Sequence, residues 1–316
     1  MKQLFFLILL AGFKPLMAQP CTDEKMAARP GSWKPGSQGS IRNIAAADLA
    51  NERRFLQNLQ KRISSVYSPT GLEVNYSTSW SKGDKPGYAA DPFSLQMYLL
   101  RYLCDDSPKG FYVEYSSATN VMVFANHLYC PEFFDAAPLE PDHSRGYVRL
   151  FSKPEKKEGA IYMGTELTDN GRVHEENWLI TRGDSLPFRA LTRKEFLLKI
   201  RPKLEKKLQY DKTYYQEFLD NIDKALREPE SELAKMAVCK SSDEEQFTGF
   251  VPEGDRFACY PVVPDMNYYR KGQPKSAVQF ISVKFKYSIN DPVFDKNIAS
   301  LRKALDFSYL HSLLVK

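Results

Sequence analysis

The sequence predicts an α+β fold, with antiparallel sheet or sheets and amphipathic helices packed on them. Two stretches alternate between apolar and polar residues, "LEVNYSTSW" at 72–80 and "VQFISVKFKYSI" at 278–289. Other stretches carry apolar residues at helical spacing. Helices and strands are interspersed without the strand–helix–strand rhythm of a parallel sheet. No repeat of fixed period runs along the chain.

The chain opens on "MKQLFFLILLAGFKPLMAQPC". Lys2 gives a positive start, and Leu4 to Phe13 form an apolar run of signal-peptide length, short of the roughly 20 residues that span a bilayer. Lys14 and Pro15 break the run, and Ala18 is the small residue a signal peptidase requires. The expected cut follows Ala18, so residues 1–18 are a signal peptide and the mature chain begins Gln19-Pro20-Cys21. Pro20 directly before Cys21 blocks the cleavage that precedes lipidation, so a lipoprotein is not expected. No later stretch has membrane length, and the product is expected to be exported, periplasmic or extracellular, with no integral membrane segment. Removing Lys2 and Lys14 lowers the formal charge from +5 to +3. That balance is too mild to point to nucleic acid or an anionic membrane as partner.

Residues 19–44, with "RPGSWKPGSQG", read as an extended lead-in. The globular region spans 45–316, as one large domain or two with a boundary near 190–230. Leu49, Leu56, Leu59, Ile63 and Val66 give a first amphipathic helix, ended by Pro69 and Gly71. The strand at 72–80 follows. Asp91-Pro92 places a capping carboxylate before a proline, so "FSLQMYLLRYLC" reads as a buried helix. "FYVEY" and "VMVFA" form a hairpin, and "GYVRLF", "AIYMGTEL" and "NWLIT" read as strands. Gly183-Asp184 is a tight turn ahead of "LPFRAL". Thr192 and Glu195 form a capping box for a helix with Phe196, Leu197, Ile200, Leu204 and Leu208 on its apolar stripe; Pro202 should kink or break it. "YYQEFLDNIDKAL" is another helix, ended by Pro229, with a short one around Ser231 to Met236. In the last strand Ile281, Val283, Phe285 and Tyr287 share a face. Asn290-Asp291-Pro292 then caps a helix carrying Phe294, Ile298, Leu301 and Leu305.

Five cysteines occur, Cys21, Cys104, Cys130, Cys239 and Cys259. In an oxidising compartment some should pair, and two bridges among five allow about 15 connectivities. The expected pairs are Cys239 with Cys259, the nearest in the C-terminal half, and Cys21 with Cys104, a staple of the mature N-terminus.

No catalytic, cofactor-binding or metal residue emerges. His127, His143, His174 and His311 match no zinc spacing, a G-x-S-x-G elbow is absent, and phosphate-loop and dinucleotide glycine patterns are missing, so no cofactor is implied. Residues 189–212 hold nine basic residues against three acidic ones, which reads first as a solvated helix face and second as an anion-binding one. Arg182-Gly183-Asp184 is a short adhesive-type match at a turn, Asp184-Ser185-Leu186 an O-glycosylation pattern, and Asn75-Tyr76-Ser77 an N-glycan acceptor inside a strand. Trp33, Trp80, Trp178 and the pairs Tyr214-Tyr215 and Tyr268-Tyr269 could stack on sugars. The turn-rich "PDMNYYRKGQPKS" makes Tyr268, Tyr269, Arg270 and Lys271 the candidate ligand contacts.

"NWLITRGDSLPFRALTRKEFL" and "NYYRKGQPKSAVQFISVKF", about an eighth of the chain, resemble segments of uncharacterised exported proteins from Bacteroidota. "LMAQPC" is similar to signal-peptide ends of that group. The resemblance implies export and a shared fold and carries no catalytic residue. The leading expectation is an exported non-catalytic protein that binds a glycan, an envelope component or a protein partner. The alternative is a secreted hydrolase of glycan or peptide, which needs a cleft with two carboxylates about 5–10 Å apart.

Overall fold

The computed structural model describes residues 21–41, 44–80, 90–105, 110–128, 147–183, 185–240 and 246–315. Residues 1–18, where a signal peptide is expected, and Cys130 and His143 lie outside them. The fold is α+β, in four layers: helices, a nine-stranded sheet, a small four-stranded sheet, and more helices.

The lead-in is structured. It folds as α1 (Asp23–Ala28) and β1 (Ser32–Gln38), and β1 adds a parallel edge strand beside β2 (Leu72–Trp80). Between them α2 (Ala46–Val66) buries Leu56, Leu59 and Ile63 at the expected spacing. The stretch read as a buried helix is instead the long strand β3 (Phe93–Cys104), antiparallel to β2 from Phe93 to Arg101. Phe93, Leu95, Met97 and Leu99 alternate with Ser94, Gln96 and Tyr98, but Leu100, Tyr102 and Leu103 carry apolar residues onto both faces and Asp91-Pro92 supplies a helix-start signal, so the run as a whole looks like a buried helix. The hairpin read at 111–125 is also corrected. β4 (Phe111–Val113) pairs with the end of β3 at Tyr102 to Cys104, whereas β5 (Asn120–Ala125) pairs with its start at Phe93 to Tyr98.

β6 (Val148–Leu150) leaves for the small sheet, while β7 (Glu155–Lys157), β8 (Ala160–Thr168) and β9 (Val173–Ile180) return to the large one. β10 (Phe188–Ala190), β11 (Cys239–Lys240) and β12 (Ala258–Pro264) complete the small sheet with β6. The turn at Gly183 therefore joins strands of different sheets and closes no hairpin. Between β10 and β11 run α3 (Arg193–Lys207), α4 (Lys212–Ala225) and α5 (Glu230–Leu233). Both halves of the Thr192–Glu195 capping box form, and α3 continues through Pro202. β13 (Ile281–Ser288) inserts between β5 and β9, and α6 (Pro292–Leu305), capped by Asp291, and α7 (Phe307–Ser312) close the chain. The large sheet runs β1-β2-β3-β5-β13-β9-β8-β7.

One apolar core lies between the large sheet and α2, α6 and α7, with Leu95, Met97, Val121, Val123, Trp178, Val283 and Phe285 on the sheet side. A second joins Ile161, Met163 and Leu179 of the large sheet to Val148, Leu150, Tyr260 and Val262 of the small one. The third packs the small sheet under α3 and α4. The Cys21–Cys104 disulfide forms and ties the head of the described chain to the end of β3, a strand in place of the expected helix. Among the described residues no helix is long and apolar enough to cross a membrane.

Candidate functional site

Side chains alternate across a strand, so β3, β5, β13 and β9 send every second residue to the face away from α2 and α6. Strand registers line these residues up in rows. One row reads Asn75, Tyr98, Asn120, Lys286, Glu175, Glu166 across β2, β3, β5, β13, β9 and β8. The next reads Ser77, Gln96, Met122, Lys284, Asn177, Gly164, and a third Ser79, Ser94, Phe124, Ser282, Leu179, Ile161. The small sheet covers the Leu179–Ile161 end of the third row. The first two rows belong to no apolar cluster, and they are almost wholly polar.

Asn120, Lys284, Glu175 and Asn177 at their centre are buried, and most of the others are half-buried. Asn177 is 0 % exposed, Glu175 1 % and Lys284 4 %. Neither amide atom of Asn177 has a hydrogen-bond partner, nor does either Glu175 oxygen or the Asn120 Oδ1. Glu175 Oε2 stands 3.4 Å from Lys286 Nζ, an ion pair outside hydrogen-bond geometry. Burial pulls the Lys284 ammonium down to about 8; Glu175 opposes the fall and Lys286 adds to it. Burial raises the Glu166 carboxyl, with Glu175 adding and Lys286 opposing. Toward β2 the polar groups satisfy one another. Tyr98 Oη donates to Gln96 Oε1 at 3.0 Å, Gln96 Nε2 donates to Ser79 Oγ at 3.1 Å, and the Ser79 and Ser94 hydroxyls lie 2.7 Å apart.

The unsatisfied end is shaped by backbone. A β-bulge between Tyr162 and Gly164 sits beside Asn177, a device that re-aims side chains at functional sites. Gly164 holds φ +112°, and a Cβ there would lie 2.2 Å from Ser152 Oγ, so only glycine lets the segment after β6 close in. This end gathers two ammonium groups, two carboxylates and several amides, the central ones beneath the surface. That set fits a ligand carrying both hydroxyls and an acidic group.

The residues singled out from sequence lie elsewhere. Tyr268 turns inward, 6 % exposed, and donates to the Gln279 carbonyl at 2.8 Å, with Tyr269 half-buried against Phe280. Arg270 and Lys271 are exposed. Arg182 of the tripeptide donates to the Tyr268 carbonyl and covers its ring; Asp184 lies outside the described residues. Four cations of the basic segment are ion-paired: Arg189 with Glu195, Arg193 with Glu232, Lys194 with Glu230 and Arg201 with Asp223. Trp178 donates to Glu176 within the core, and Trp33 packs on Tyr67 and Tyr76. His174 engages Tyr287 Oη at 2.7 Å through Nδ1 and Thr165 through Nε2. Among the described residues no group of three or more His, Cys, Asp and Glu side chains could hold a metal ion.

Two surface cavities bear on the cleft a hydrolase needs. One of 310 Å³ is lined by Lys156, Lys157, Glu158, Thr181 and His311 among others, and one of 230 Å³ by Gln38, Arg53, Gln57, Gln60, Tyr76 and Trp80 among others. Among the described residues the first is lined by one carboxylate and the second by none. The signal for the polar face was present in the alternate residues of "ISVKFKYS" and "VHEENWLI". Gln96 and Tyr98 were hidden by the helical reading of β3. No family model, curated protein or solved structure matches the chain.

Proposed function

We propose that this chain is an exported binding protein that seats a hydroxylated, acid-bearing ligand, of the chemistry of an acidic saccharide, on the polar face of its large sheet. The observation that carries the reading is Asn177, fully buried with neither amide atom bonded. A buried polar group left without a partner costs about 1–3 kcal/mol, and a fold that keeps one calls for an explanation such as a guest. Lys284 and Lys286 suit the acid group, and Asn177, Asn120 and Gln96 suit hydroxyls. Export rests on the N-terminal apolar run and on the resemblance to exported Bacteroidota proteins; N-terminal sequencing of the mature protein should begin at Gln19.

The test is a thermal-shift screen of the mature chain with uronic-acid oligosaccharides, peptidoglycan fragments, neutral sugars and inorganic phosphate. A ligand at a hundred times its Kd stabilises by about 2.7 kcal/mol, a shift of several degrees. A shift with acidic saccharides that Asn177→Leu abolishes supports the reading. A shift that Asn177→Leu leaves intact contradicts it.

One observation favours a second reading as a hydrolase. Glu166 and Glu175 are directly opposed across β8 and β9, where Cβ atoms stand about 4.5–5.5 Å apart, and burial, with Glu175 adding, raises the Glu166 carboxyl above its ordinary value. Turnover of a labelled glycan, lost in both Glu166→Gln and Glu175→Gln, would support it. Binding without turnover would not.

A further inference from the structure

Cys239 and Cys259 face each other directly in the antiparallel pairing of β11 with β12, with Lys240 opposite Ala258 in the next position. Both are buried, at 1 % and 0 % exposure, in the core formed with Phe196, Leu197, Ile200 and Phe247. The structure holds them as thiols, with the two Sγ atoms 2.8 Å apart. A disulfide bond is about 2.03–2.05 Å long and spans Cα atoms about 4.4–6.8 Å apart. Directly opposed antiparallel residues have Cα separations of about 4.5 or 5.5 Å, inside that window in either case. Closing the bond thus asks for a sulfur displacement under an ångström and no change of strand register. Cys21 and Cys104 are already bridged, so the remaining cysteines are this pair and Cys130.

We propose that Cys239 and Cys259 are a modification site, a cross-strand dithiol that a disulfide-bearing oxidant converts to a disulfide as the small lobe folds. One thiolate attacks the oxidant's disulfide, forming a mixed disulfide and releasing one oxidant thiol. The second thiolate then displaces the other oxidant thiol and closes the Cys239–Cys259 bond. Two protons leave the protein, and two electrons reduce the oxidant to its dithiol form. Because both sulfurs are buried, the finished bond is shielded from reductant by the core under α3 and α4. It ties β11 to β12 and closes a loop across a sequence separation of 20 residues, which constrains the unfolded chain. The bond makes the lobe's stability depend on the redox state in which the chain folds.

The test is a peptide map of the mature protein, made in an oxidising compartment, denatured and alkylated without reduction. The expected result is a linked peptide joining Cys239 to Cys259, with alkylation at Cys130 alone. Alkylation of both Cys239 and Cys259, or a bridge from either one to Cys130, overturns the proposal. A second reading guards against a lobe that folds poorly. Denaturation and refolding in reductant, which exposes the shielded sulfurs, should lower the melting temperature of Cys21→Ser/Cys104→Ser by about 5–10 °C. It should leave Cys239→Ser/Cys259→Ser sensitive only through the other bridge, and no reductant effect on the first variant would also overturn the proposal.

Discussion

Asn177 is buried with no bond to either amide atom, while Lys284 beside it is pulled down to about 8 by burial. Replacing the amide by an apolar group of similar shape removes an unmet desolvation cost. Asn177→Leu is therefore expected to stabilise the unliganded protein by about 1–3 kcal/mol in denaturant titration while it loses ligand, the trade a functional residue makes. A loss of stability of that size would mean the amide serves the fold. Two buried charges make opposite pH predictions. Glu52, 0 % exposed at the foot of α2, is pushed up to about 8, first by burial and then by Asp91 and Asp48. Between pH 4.5 and about 8 the folded chain keeps a proton that the unfolded chain has released, so stability falls as pH rises through that window. Glu52→Gln should flatten this slope. Lys284 acts the other way. Between about pH 8 and 10.5 the unfolded chain holds the proton, so this residue's contribution to stability rises with pH. Melting curves from pH 5 to 10 on wild type, Glu52→Gln and Lys284→Met separate the two.

The elements most legible in the sequence were those announced by a cap. Thr192 and Glu195 satisfy each other's backbone amides at the head of α3, and Asp291 accepts from Val293 and Phe294 at the head of α6. Thr192→Ala should cost about 0.5–2 kcal/mol in chemical denaturation. β3 was not legible although Phe93, Leu95, Met97 and Leu99, buried on one face, alternate with Ser94, Gln96 and Tyr98 on the other. Leu99-Leu100 and Tyr102-Leu103 put apolar residues on both faces beyond that stretch, so the whole run looks like a buried helix. The Asp91-Pro92 pair added a false start signal: the Asp91 amide donates to the Lys275 carbonyl, and its own carbonyl accepts from Asn126. Taken as a helix, the stretch gives Gln96 and Tyr98 no place in the sheet, and the polar rows lose their continuity. Met97→Ala, in the centre of the sheet, should destabilise by about 2–5 kcal/mol.

Across the whole molecule, the order of strands decides what no local pattern could. β13 lies far along the chain from both β5 and β9, yet it sits between them and completes the rows that bring Lys284 beside Asn177. Long-range pairing of this kind is set by the total burial of the sheet, so Lys284 and Asn177 could be read as strand residues but not as neighbours. The tyrosines at 268 and 269 show the converse, since a turn-rich sequence packs its rings into the second core. The Cys21–Cys104 bridge closes a sequence separation of 83 residues, and a loop of that size contributes about 4–5 kcal/mol by restricting the unfolded chain. Cys104→Ser should lower the unfolding free energy by that order. Little change would place the stabilisation elsewhere.

The central claim, that the polar face of the large sheet holds the ligand, is tested most directly by isothermal titration of an acidic oligosaccharide from the screen into wild type and Asn177→Leu at pH 7. The account predicts a saturable isotherm for the wild type. It predicts at least a tenfold weaker Kd for the variant, about 1.4 kcal/mol of lost binding. Equal affinity in the two proteins, with the variant still folded, would contradict it.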